Sequence, residues 1–209
     1  MVIKKISISC FRCFSNLNLE FSELNNFFFG PNGSGKTSVL EALYFCSTGR
    51  SFKSSNKNLC IQNKENSFQL KLETINRNRI KILKTINKSI YCEIDGQKAS
   101  SVDLFRTLPS TLLDSKIFSM FIDTPQYRRK ILDRCLMAAD KSYTKDFFSF
   151  HKALKQRNAA LKQNSKYGLD MWSEIFASSG SHLSKKREEL FQRTKKVFFG
   201  IIQNKIIDI

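Results

Sequence analysis

Gly30-Pro31-Asn32-Gly33-Ser34-Gly35-Lys36-Thr37 fits the pattern G-x-x-x-x-G-K-[ST] of a phosphate-binding loop. At average residue frequencies a chain of this length shows that pattern by chance about once in a hundred sequences, so the match points to a chemistry by itself. The positions divide the work. The glycines allow backbone angles and a close approach that a Cβ blocks. Successive backbone N–H groups then point inward as an anion nest, and the following helix N-terminus adds partial positive charge. Lys36 supplies a mobile cation for β- and γ-phosphates. The Thr37 hydroxyl suits Mg²⁺, which takes oxygen ligands and keeps several waters. ATP and magnesium are therefore the expected cofactors, with residues 30–37 on the phosphates and Thr37 on the metal. The bland alternative for the same string is a glycine-rich turn between a strand and a helix.

The elements around the loop are legible from apolar spacing. Phe27-Phe28-Phe29 predicts a short buried strand leading into it, and Val39, Leu40, Leu43 and Tyr44 predict a helix leading out. Ile6, Ile8 and Cys10 alternate, and so do Leu17, Leu19 and Phe21, which predicts an antiparallel hairpin ahead of the loop. Gly49-Arg50-Ser51-Phe52-Lys53 and the polar stretch to Glu65 read as a loop. Further alternations (Phe68, Leu70, Leu72; Ile80, Ile82; Ile90, Cys92, Ile94) predict strands, and Asp95-Gly96 predicts a turn. The first hundred residues are thus strand-rich with one clear helix.

The pattern changes at Thr124-Pro125, a good N-cap followed by a residue suited to the first helical position. Tyr143, Phe147, Phe150, Leu154 and Leu161 form one heptad-like stripe. Trp172, Phe176, Leu183, Leu190, Val197 and Ile201 form another, with Ser179 between. A polar break around Gln163–Gly168 separates them. An antiparallel helical hairpin in which each stripe buries the other is the expected solution. Its outer faces are expected to carry Lys152, Lys155, Arg157, Lys162, Lys185, Lys186, Arg187, Lys195 and Lys196. Such a basic arm can track phosphates or be a solvated face. The expected division is an ATP-binding lobe over 1–124 and a helical arm over 125–209.

The chain has 209 residues and a formal net charge of +17, from 35 Lys and Arg against 18 Asp and Glu. Nucleic acid is the first partner such a balance suggests, and an anionic membrane surface the second. The abundance of Lys, Asn, Ile and Phe also fits a drift of base composition towards A and T. No window approaches the roughly 18 apolar residues of a membrane span, and the start of the chain alternates like a strand without an apolar signal core. A cytoplasmic protein with its six cysteines reduced is expected. Cys10-Phe11-Arg12-Cys13 is a C-x-x-C at a strand end, without a second pair or a histidine cluster to make it a zinc or redox site.

Taken together, the motifs resemble bacterial RecF, a DNA replication and repair family of the ABC/SMC-type ATPases. Phe11-Arg12 is similar to the family's F-R-N after the first strand. Residues 30–42, from Gly30 to Glu41-Ala42, resemble its P-loop and helix start. Gly49-Arg50-Ser51-Phe52-Lys53 is similar to G-R-S-F-R, and Pro125-Gln126-Tyr127-Arg128-Arg129-Lys130-Ile131-Leu132-Asp133 to P-x-x-R-R-x-x-L-D. Lys155 to Lys162 resembles K-Q-R-N-A-x-L-K. The resemblance implies an α/β, ABC-type P-loop ATPase lobe, incomplete here, with an antiparallel helical arm. It implies ATP-dependent dimerisation around single-stranded or gapped DNA, RecO and RecR as partners, and a link to recombinational repair and the SOS response. It brings Arg12 to the nucleotide from the end of the first strand.

Departures from the family pattern are equally specific. The signature motif and the acidic Walker B run belong to a part that family chains carry beyond this length, and Ile206-Ile207-Asp208-Ile209 does not replace them. An N-terminal portion that binds nucleotide without hydrolysing it is expected, with no catalytic residue assigned. Thr111 stands where the family has the Q-loop Gln. Ser115-Lys116 and Asp123-Thr124 also differ. Two other readings remain at this point: a P-loop kinase of small molecules, and a non-functional remnant whose basic helical hairpin binds a partner.

Overall fold

The computed structural model describes residues 2–113, 125–163 and 168–206, with backbone alone for Tyr127 and residues 204–206. The chain divides into two units, Met1–Leu113 and Asp114–Ile209.

The first unit is built on a six-stranded antiparallel sheet of order β2-β1-β3-β4-β5-β6. Its strands are β1 (Ile3–Phe11), β2 (Phe14–Glu20), β3 (Ser67–Thr74), β4 (Arg79–Thr85), β5 (Tyr91–Ile94) and β6 (Gln97–Lys98). The alternations set the register. Ile6 faces Leu72 and Ile8 faces Leu70. Leu70 in turn faces Ile82, and Leu72 faces Ile80. One row of apolar side chains therefore crosses the sheet on a single face. Helix α1 (Lys36–Thr48) covers that face with Ala42, Phe45 and Cys46. Phe11, Phe45 and Phe68 meet edge to face, with ring centroids 4.9 to 6.2 Å apart. Gly49 closes α1 at φ 65°, its N–H donating to the Phe45 carbonyl at 2.8 Å. Asp95-Gly96 makes the β5–β6 turn with both residues at positive φ, the geometry a two-residue hairpin needs.

Two features of this unit differ from the sequence reading. Ser100 caps a short helix, α2 (Ser101–Thr107), through a complete capping box with Asp103. The expected strand at Phe27–Phe29 does not form. Phe27 is 83% exposed and Phe29 92%, while Phe28 packs edge to face on Phe21 at 6.4 Å. A strand requires a neighbour for its N–H and C=O groups, and no described segment pairs with residues 27–29. Apolar content alone leaves the segment extended and unpaired.

The second unit contains helices α3 (Pro125–Ala139), α4 (Lys141–Lys162) and α5 (Leu169–Ile206). Pro125 opens α3 as expected; Thr124, Ser115-Lys116 and Asp123 lie outside the described residues. Helices α4 and α5 run antiparallel, as their sequential cross-contacts show: Lys186 with Asp140, His182 with Asp146, Phe176 with Phe150, Ser173 with Arg157. Tyr143, Ala153, Ser179 and Leu183 are buried along the seam.

Mutual burial of the stripes ends part-way. Val197 and Ile201 are 64% and 54% exposed. The 38 residues of α5 span about 57 Å and the 22 of α4 about 33 Å, so α5 runs past its partner. Arg157 and Lys186, expected on the outer faces, reach across to Ser173 and Asp140, and Arg187 is likewise not an outer-face residue. It turns inward to Asp133 of α3, donating from Nε at 2.6 Å and from a terminal nitrogen at 3.1 Å. Tyr143 of α4 donates to the same carboxylate at 2.5 Å. One nearly buried aspartate thus joins the three helices.

Candidate functional site

The loop of residues 30–37 lies between the end of the unpaired segment and α1. Gly35 is the helix N-cap at φ 93°, with no side-chain cap and no acidic residue in the first turn. The Lys36 and Thr37 amides at the start of α1 are therefore available to an external acceptor, while the Ser38 amide donates to the Gly35 carbonyl at 2.8 Å. Gly35 could carry no side chain here: a Cβ would meet the Phe14 ring at 2.3 Å and Cys13 Sγ at 2.9 Å. Gly33, at φ 84°, has open space where its Cβ would stand. The Lys36 ammonium folds back over the loop and donates to the carbonyls of Gly30 at 2.8 Å and Pro31 at 2.7 Å, with Ser34 Oγ at 3.4 Å. The Ser34 amide donates to the Pro31 carbonyl at 3.3 Å. The loop is therefore a closed main-chain ring around one mobile cation.

Asn32, Gly33, Gly35, Lys36 and Thr37 line a cleft of about 880 Å³, while Gly30, Pro31 and Ser34 serve Lys36. Leu59, residues 61–64, Arg12 and Lys53 complete the cleft wall. Four of the lining side chains are cationic (Arg12, Lys36, Lys53 and Lys64) and none is a carboxylate. A cleft lined by one sign of charge concentrates ligands of the other sign. Thr37 is exposed on this wall. Among the described residues no cluster of three His, Cys, Asp or Glu could hold a metal ion. The residues therefore fit a polyphosphate, and they offer a metal the Thr37 hydroxyl as its protein ligand at the loop.

Arg12 is anchored from behind. It sits in the tight β1–β2 turn at φ 55°. Its Nε and one terminal nitrogen grip both oxygens of Glu41 on α1, and its other terminal nitrogen donates to the Leu59 carbonyl at 2.7 Å. Glu41 is fully buried and also accepts from Ser51 Oγ at 2.5 Å. Burial pushes its carboxyl pKa up, but the hydrogen bonds from Arg12 and Ser51 outweigh that and hold it below the usual carboxylate range. The nearby Cys60 thiol is pushed up to about 11, first by burial and then by Glu41.

The motifs at Phe11-Arg12, Glu41 and Ser51 therefore meet in one polar knot beneath the cleft. The sequence reading brought Arg12 to the nucleotide and did not foresee Glu41 and Ser51 as its support. It also missed Lys53, Gln62, Asn63 and Lys64 as cleft residues, because a polar loop carries no periodicity to mark them. Thr111 does not line the cleft. Cys13 does, and the other half of the C-x-x-C, Cys10, has its thiol pKa raised by burial and by Glu65.

A buried knot behind a glycine cradle, on an antiparallel sheet with a helical arm, defines a P-loop ATPase of the ABC type. The family model described as an AAA domain matches residues 5–202, and the chain belongs to that family. Among its curated relatives are versions of the DNA replication and repair protein RecF. That of Shewanella denitrificans is 31% identical over 208 residues, covering 97% of this chain and 58% of the relative. That of Vibrio parahaemolyticus is 32% identical over 209 residues with the same coverage. The recombination mediator protein RecF solved with ATP, of the RecFOR pathway, superposes with a TM-score of 0.84 at 26% identity, over 93% of this chain and 55% of that one. An SMC ATPase studied for ATP-driven dimerisation gives 0.52 at 17% identity over 65% of this chain and 99% of that one, a likeness of fold alone. The chain is thus RecF-like with an ATPase fold, and it spans 58% of the length of the RecF relatives it matches.

Proposed function

We propose that this chain binds ATP with Mg²⁺ in the cleft between the glycine loop and residues 59–64, as part of a protein of DNA replication and recombinational repair in the cytoplasm. The observation that carries the reading is the uncapped start of α1 beside four cations and no carboxylate. On this reading the amides of Gly33, Gly35, Lys36 and Thr37 hold the β-phosphate. Lys36 leaves the carbonyls of Gly30 and Pro31 to meet the γ-phosphate. Thr37 gives Mg²⁺ one oxygen, and phosphates and water give the rest. Arg12, fixed by Glu41, bounds the site.

Hydrolysis needs a group to orient water and a second anchor for the metal. Among the described residues no carboxylate lines the cleft, so this reading assigns nucleotide binding and no catalytic residue. The lobe over 1–124 serves the nucleotide, and the basic arm over 125–209 serves single-stranded or gapped DNA. ATP-dependent pairing of two copies, RecO- and RecR-type mediators and a part in the SOS response complete the proposal.

The test is a titration of the purified chain with a fluorescent ATP analogue and with gapped DNA. Micromolar nucleotide binding that falls at least tenfold in Lys36→Ala is the expected result. Unchanged binding in that variant would overturn the assignment of the cleft.

A further inference from the structure

A second group of cations gathers among the loops of the first unit. Ser55, Asn56, Lys57 and Asn58 on one side, with Lys84, Lys88, Ser89 and Ile90 on the other, enclose a pocket of about 430 Å³ that shares no residue with the nucleotide cleft. Lys84 lies on the apolar face of β4 with Ile80 and Ile82, and it is 93% buried. Its ammonium reaches the sheet end and donates to the carbonyls of Thr85 at 2.9 Å and Lys88 at 2.6 Å. Two of its three N–H bonds are thereby used. Lys57 is half-buried beside it, with Arg50 close enough to act on its charge.

None of these cations is in an ion pair with a carboxylate among the described residues, and no carboxylate lines the pocket.

Burying one lysine and crowding others against it is unfavourable unless something anionic offsets it. The Lys57 ammonium shows the strain: burial first, and Arg50 next, lower its pKa. The two carbonyls on Lys84 stabilise that one head group and carry no full charge. Nothing described does the same for Lys57.

We infer that the pocket between residues 55–58 and the β4–β5 turn is a second phosphate-binding site, with Lys57 and Lys88 as its mobile cations and Lys84 as its fixed floor. The ligand is a phosphate group, carried either by a nucleic-acid strand or by a free polyphosphate. The site is independent of the glycine loop, and Lys36→Ala leaves it intact.

The experiment uses the full chain in four forms: wild type, Lys36→Ala, Lys57→Gln/Lys88→Gln, and the triple variant that combines them. Lys84 is left alone because it caps a turn. Each is titrated with a labelled 20-mer of deoxythymidine and, separately, with inorganic pyrophosphate, and melting curves verify folding. If the strand is the source, the double variant binds the 20-mer about tenfold more weakly. Its log–log salt slope is also shallower by about 1.4, two contacts at about 0.7 each for single strands. If free polyphosphate is the source, the double variant in the Lys36→Ala background loses pyrophosphate binding that Lys36→Ala alone retains. A folded double variant that matches its parent with both ligands overturns the inference. The P-loop reading stands or falls separately, on Lys36→Ala with ATP.

As a second measurement, the binding ligand is expected to protect Lys57 from acetylation and to leave Lys98, which does not line this pocket, unprotected. Equal protection of both lysines would count against the site.

Discussion

Arg12 and Glu41, 29 positions apart, form a two-point ion pair at 2.9 and 2.6 Å, with the carboxylate wholly buried and the guanidinium lining the cleft beside the glycine loop. The pair joins the β1–β2 turn to the body of α1, and Ser51 and Leu59 tie two further loops to it. A bidentate pair fixes the plane of the guanidinium as well as its distance. The cleft wall is therefore held in a defined place before any ligand arrives.

Glu41→Ala is expected to cost about 3–5 kcal/mol in chemical denaturation, because it strands a half-buried cation. Arg12→Lys keeps the charge but not the fork, and should lower nucleotide affinity more than it lowers stability.

The pair also predicts a pH dependence. The Glu41 carboxyl titrates below its ordinary value of about 4.3. A depressed carboxyl stabilises the fold above that ordinary value, and the contribution disappears as pH falls through the lower, folded-state pKa. Between pH 7 and 5 that contribution is complete and constant, so the melting temperature should not change on its account, and below about pH 4 it should fall. Glu41→Gln should show a flatter acid limb. Parallel acid limbs in the two proteins would refute the coupling.

Gly35→Ala tests the cradle. The new methyl group would fall 2.3 Å from the Phe14 ring on a backbone at φ 93°. A strained non-glycine conformation costs about 1–3 kcal/mol, and the loop must shift as well. Nucleotide affinity should drop at least tenfold. Gly33→Ala meets open space and bears the backbone strain alone, so its loss of stability should be the smaller of the two.

In the helical unit, Asp133→Ala leaves Arg187 and the Tyr143 hydroxyl without their shared acceptor. The expected loss is about 3–5 kcal/mol, read as a lower melting temperature of the arm. Tyr143→Phe removes one donor and keeps the ion pair, and should cost about 1 kcal/mol. Burial first, and then Asp133, push the Tyr143 hydroxyl pKa above its usual value, so no tyrosinate should appear below the ordinary tyrosine range.

Asp140 caps α4, accepting from the Ser142 hydroxyl at 2.6 Å and from the amides of Ser142 and Tyr143. The Ser142 hydroxyl contributes most to lowering its pKa to about 2. The cap should therefore persist through the usual carboxyl range and fail only as pH approaches about 2. Asp140→Ala should lower helicity at pH 4 as much as at pH 7. An effect confined to neutral pH would show that the cap is not the cause.

Short-range pattern was enough for much of this protein. The loop of residues 30–37, the alternations of β1 to β5, the turn at Asp95-Gly96 and the helical start at Pro125 are local properties, set by backbone angles and by side-chain periods of 2 and 3.6. The sequence alone also carried the RecF resemblance, because it rests on residue identities within short motifs.

Tertiary structure decided what depends on neighbours distant in the chain. Phe27–Phe29 looks like a strand, yet a strand exists only where another backbone pairs with it. Arg187 looks like its exposed basic neighbours, yet Asp133, 54 positions away, turns it inward. Arg12, Glu41 and Ser51 are separate marks along the chain. Only the packing of α1 across the sheet brings them together beneath the phosphate loop, because a buried carboxylate is tolerated only where donors from several segments converge on it.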